Sequence, residues 1–136
     1  MNKLFTIAMI AVALHATPSR AQLFNEDISE ATHVLNGNQQ YSPISESQVQ
    51  IFVSRPTVPF TVIGTIEARG MAVQSIGDAL TLSMPTEKDD MKLAIAALRK
   101  EAASIGANGV VIVKQGQVRT GSSSTERRIA AAAIRY

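Results

Sequence analysis

Hydrophobic and polar positions repeat with two different periods along this chain, and the change of period marks its elements. Val49, Ile51 and Val53 alternate with Gln48, Gln50 and Ser54, the period of two of a half-buried strand. The stretch 55–59 follows with prolines at 56 and 59, which donate no ladder hydrogen bond, so it reads as a connection. Phe60–Arg69 carries the clearest strand pattern. Phe60, Val62, Gly64, Ile66 and Ala68 fall on one face, and Thr61, Ile63, Thr65, Glu67 and Arg69 on the other. Gly64 leaves a gap on the apolar face for a helix or a bulky side chain to fill.

The period then lengthens. Thr86–Ile105 predicts a helix, with Met91, Ile95, Leu98, Ala102 and Ile105 tracing one apolar stripe and Lys88, Lys92, Arg99 and Lys100 on much of the opposite surface. Thr86 suits the N-cap, with Asp89 three residues on in the manner of a capping box. Glu87, Asp89 and Asp90 sit in the first turn, where the helix dipole favours negative charge. Gly106 suits the left-handed residue that ends the helix.

Gly109 leads into Val110-Val111-Ile112-Val113, a β-branched run typical of a strand covered on both sides. Residues 115–125 are rich in Gly and Ser and predict a hairpin connection. For 126–136 the residues leave two readings open. Four alanines at 130–133 favour helix, whereas Ile129 against Arg128 and Ile134 against Arg135 fit a strand. Residues 70–84 are ambiguous: Leu80, Leu82 and Met84 alternate with Thr81 and Ser83, which allows a second short hairpin turning at Gly77-Asp78.

The N-terminus reads as an export signal. Lys3 gives a positive start, and Leu4–Leu14 is an uncharged apolar run, shorter than the roughly 20 residues a membrane-crossing helix needs. Ser19 and Ala21 are the small residues signal peptidase requires, so cleavage is expected after Ala21. Residues 22–47 are polar, with few apolar anchors, and predict a flexible leader with one helical turn at most around 26–34.

Cleavage alters the charge balance. The 136 residues carry 13 basic and 11 acidic side chains, and Lys3 and Arg20 leave with the signal, so the mature chain is formally neutral. Aromatic residues make up 4%, which with neutrality argues against a nucleic-acid surface. Charge is nonetheless polarised. Glu26, Asp27, Glu30 and Glu46 stand without a base in 22–46, while Lys114, Arg119, Arg127, Arg128 and Arg135 face only Glu126 in 106–136. Two readings stay open: an acidic arm that docks on a basic surface, or solvated charge.

Candidate chemistry is sparse. There is no Cys, which excludes disulfides, thiolate sites, a thiol nucleophile and lipidation at a cysteine. His33 is the sole histidine after cleavage and lies in the leader. On a helix, Glu26, Glu30 and His33 would share a face, with Asp27 nearby, which allows a weak metal site, although solvated capping and tail charge is the reading preferred for them. Glu87, Asp89 and Asp90 lack the loop a calcium site requires. Glu67 and Asp78 are the carboxylates a hydrolase would use, although nothing in the sequence brings them together. Glu67 and Arg69 share a strand face and predict pairing with neighbours.

Certain segments occur in a familiar order: Arg55-Pro56, then Pro59-Phe60-Thr61-Val62-Ile63-Gly64-Thr65-Ile66, then Glu101-Ala102-Ala103-Ser104-Ile105-Gly106-Ala107-Asn108-Gly109-Val110-Val111-Ile112, and last Ala132-Ala133-Ile134-Arg135. Over residues 48–136 the chain resembles the YbjQ-like domains and the related RcsF-type stress-sensing envelope lipoproteins. The resemblance implies a strand pair, one helix across the sheet and a second strand pair, which makes 126–136 a strand. Some YbjQ-like proteins carry a heavy-metal-binding label and form rings. This chain departs from them in lacking soft ligands, and from the lipoproteins in lacking their cysteine.

The expectation is thus a single small α+β domain. Residues 1–21 are the signal peptide, 22–47 a flexible acidic leader, and 48–136 a β-β-α-β-β sheet with one helix packed across it. The expected role is an exported, periplasmic or secreted, non-catalytic envelope protein, a protein-interaction or stress-sensing-type binding module. The alternative is a small-molecule or metal-ion binding protein, with a homo-oligomer allowed. No catalytic, cofactor-binding or metal residue is assigned. No cofactor, nucleic acid or retained membrane anchor is expected, and the partner is an envelope protein.

Overall fold

Glu87–Ser104 forms the helix, α1, and its apolar stripe faces a sheet as the spacing predicts. Leu98, Ala102 and Ile105 are buried, Met91 and Ile95 pack against the core from its margin, and Ala94, Ala97 and Ala103 widen the stripe. Gly106, at φ 75°, closes the helix: its N–H donates to the Ala103 carbonyl and Ala107 N–H to that of Ala102. This paired-bond ending needs a left-handed residue.

The computed structural model describes residues 26–73, 87–121 and 124–136. Five strands, β1 (Ile28–Leu35), β2 (Gln50–Phe52), β3 (Thr61–Met71), β4 (Gly109–Arg119) and β5 (Thr125–Arg135), form one mixed sheet in the order β1-β3-β5-β4-β2. Only the β2–β4 pair is parallel. Because β5 inserts between β3 and β4, the β3–α1–β4 connection is a split crossover. One small α+β unit results, with α1 over β1, β3 and β5. No helix among the described residues is long and apolar enough to cross a membrane.

The leader is where the expectation fails most clearly. Residues 28–35, placed in a flexible segment, are the edge strand β1, paired antiparallel with β3 from Ile28–Met71 to Leu35–Gly64. Its apolar positions do not alternate because the residues turned to α1 are mostly small or polar. Ser29 Oγ donates to the Leu93 carbonyl at 2.8 Å, Ala31 and Leu35 pack on the core, and His33 reaches Glu101. Backbone pairing and specific polar contacts thus replace the hydrophobic alternation that makes a strand legible. The chain then crosses toward the opposite edge beneath the end of α1, where Ile44 N–H donates to the Ala103 carbonyl and Arg135 stacks over Tyr41 at 4.5 Å.

Two bulges correct the face assignments. A register shift between Val62 and Gly64 puts Ile63 in the core and leaves Val62 partly exposed opposite Ile134. Between Ile112 and Lys114 a second shift turns Val113 outward, 73% exposed, so the Val110–Val113 run is not covered on both sides. β4 also runs on through Gln115 to Arg119, which shortens the expected connection to 120–124. Residues 125–135 are a strand, and the small Ala131 and Ala133 are buried in the core cluster that α1 covers.

Two glycines permit close approach. The gap at Gly64 is filled by the β1 backbone, since a Cβ there would sit 2.6 Å from the Val34 carbonyl oxygen. A Cβ on Gly70 would run into the α1 backbone at Asp90 and Ala94. The signal peptide, the Thr86 cap, Asp78 and the possible hairpin through Leu80–Met84 lie outside the described residues.

Candidate ligand-binding face

Alternation along each strand gives the sheet two faces, and α1 covers only one. On the open face the register stacks four strands into rows. Glu30, Arg69, Arg128 and Gly116 form one row, and Thr32, Glu67, Ala130 and Lys114 the next. These residues line a depression of about 710 Å³. That size suits a small molecule or a short chain segment.

Arg69 and Arg128 lie directly opposite each other on β3 and β5, an arrangement that is repulsive unless compensated. Carboxylates compensate it from both sides. Arg69 Nε donates to Glu30 Oε2 at 3.0 Å, with Nη2 on the same oxygen, and its Nη1 lies 3.7 Å from Glu126 Oε2. Arg128 Nε donates to Glu126 Oε1 at 2.5 Å. The Glu30 hydrogen bond, opposed by partial desolvation and aided by both carboxylate charges, raises the Arg69 guanidinium above its ordinary value. Glu126 is the unusual member: its side chain is 4% exposed although it belongs to the open face. A buried carboxylate is tolerated only when paired, and the two arginines supply that pairing.

Glu67 and Lys114, both exposed, enter no hydrogen bond or ion pair among the described residues. They flank Ala130 from β3 and β4. The floor between them is low, because Ala130 is small and a Cβ on Gly116 would touch nothing within 4 Å.

The residues singled out from sequence are dispersed. As β1 is a strand, Glu30 and His33 point to opposite faces: Glu30 meets Arg69, and His33 Nδ1 donates to Glu101 Oε1 at 2.6 Å under the helix. The face that a helix would have given Glu26, Glu30 and His33 is therefore not formed, and Asp27 accepts from Val73 N–H at 2.9 Å. Among the described residues no three His, Asp or Glu side chains converge. Asp90, read as helix-start charge, is buried and ties strand ends together: it accepts from Ala72 N–H at 2.7 Å and from the Thr125 hydroxyl at 3.2 Å. The pairing expected for Glu67 and Arg69 holds for Arg69 alone. The importance of Glu126 had no sequence signal beyond its isolation in a basic segment.

No protein-family model and no curated protein matches the chain. Among solved structures it is similar to the Francisella virulence factor FvfA, in a crystal structure of the orthorhombic form. The two are 19% identical, with 78% of this chain and 97% of that chain covered and a TM-score of 0.46. So distant a likeness carries no statement about function.

Proposed function

We propose that this chain is an exported, non-catalytic module of the cell envelope that binds a partner through the helix-free face of its sheet. The observation that carries the reading is the pre-ordered charge ladder Glu30–Arg69–Glu126–Arg128 beside a depression of about 710 Å³. Such an arrangement costs little ordering entropy on binding, because the side chains are already held. The signal-like N-terminus and the resemblance to small envelope domains support the location.

A photo-crosslinking residue tests the reading in intact cells. Placed at Thr32 or Ala130, on the open face, it should yield discrete adducts in the periplasmic fraction. Placed at Lys100, on the outer side of α1, it should yield none. Equal labelling from both positions, or retention of the protein in the cytoplasm, would remove the proposal.

A further inference from the structure

The open-face charges are paired with one another except at one place. Glu30 answers Arg69, and Glu126 answers Arg128 and Arg69, which leaves Glu67 and Lys114 as opposite charges facing each other over Ala130. Their strands are two sheet spacings apart, about 9–10 Å, so the pair forms two poles of a trough. A ligand that satisfies both poles carries a cation at one end and an anion at the other. In an extended peptide each residue spans about 3.3–3.6 Å, so two or three residues match the separation. The low floor at Gly116 and Ala130 admits a backbone, and the volume of about 710 Å³ accommodates it.

We propose that the trough binds a short peptide with both termini free, its ammonium on Glu67 and its carboxylate on Lys114. Arg128, held by Glu126 and diagonal to both Glu67 and Lys114, lines the trough without favouring either end. This assignment rests on the binding-face reading above and names its ligand class.

The test is a titration of trialanine into the full chain, followed by backbone amide shifts. Saturable shifts are expected at Glu67, Lys114–Gly116 and Ala130. Acetylating the peptide's amino end, or amidating its carboxyl end, should weaken binding by about tenfold, as the loss of one charged contact implies. Glu67→Lys and Lys114→Glu should each do the same while leaving the rest of the amide spectrum in place. The double exchange Glu67→Lys/Lys114→Glu should restore binding with the peptide reversed. Absence of saturable shifts, or indifference to capping, overturns the proposal. If trialanine fails while Thr32 and Ala130 still crosslink, only the ligand class falls; if both fail, the binding face falls as well.

Discussion

His33 on β1 and Glu101 on α1 meet at 2.6 Å, and this pair anchors the edge strand to the helix. Both side chains are partly exposed, so the contact is worth less than about 1 kcal/mol globally. Its local effect should be larger. His33→Ala is expected to speed hydrogen exchange at the β1 amides while shifting the urea midpoint little. Unchanged exchange in β1 would show that the strand is held by other contacts.

Removing β1 altogether has a sharper outcome. A chain lacking residues 22–47 should lose cooperative unfolding, because β3 would become an edge and α1 would lose the cover of Ala31 and Leu35. Were the segment a dispensable leader, the shortened chain would melt like the complete one. Circular dichroism during heating separates the two.

Gly70→Ala places a methyl group against the α1 backbone at Asp90 and Ala94, where no flexible side chain can yield. The helix must lift, at a cost of about 1–3 kcal/mol. Urea unfolding measures the loss, and Gly116→Ala, with open space at its Cβ, is the matched control.

Asp90→Ala leaves the Ala72 N–H and the Thr125 hydroxyl without their acceptor, which should cost about 1–3 kcal/mol. Asp90→Asn keeps an acceptor oxygen and should recover part of the loss in the same unfolding measurement.

The Arg69–Glu30 contact sets a pH expectation. Because the folded state raises the guanidinium above its ordinary value, its contribution is complete below that ordinary value and is lost as pH rises from there through the folded one. From roughly pH 6 to 10 the stability difference between the natural chain and Arg69→Ala should therefore stay constant. A difference that shrinks across this range would contradict the assignment.

By itself, the sequence determined the elements whose side chains are sorted by burial. The stripe Met91–Ile105, the stop at Gly106 and the alternation through Ile66 and Ala68 are legible because hydrophobic burial imposes a period that survives in one dimension. The tail 126–136 was undecided on its own residues, since alanine suits a helix by propensity and a strand only where a helix presses close. Tertiary structure alone decided β1, whose stability comes from backbone pairing with a strand distant in sequence, from Leu35–Gly64 to Ile28–Met71, and from polar contacts to α1. It also decided both bulges and the burial of Glu126 between two arginines. Those features depend on which strands become neighbours, and register between distant segments leaves no periodic trace along the chain.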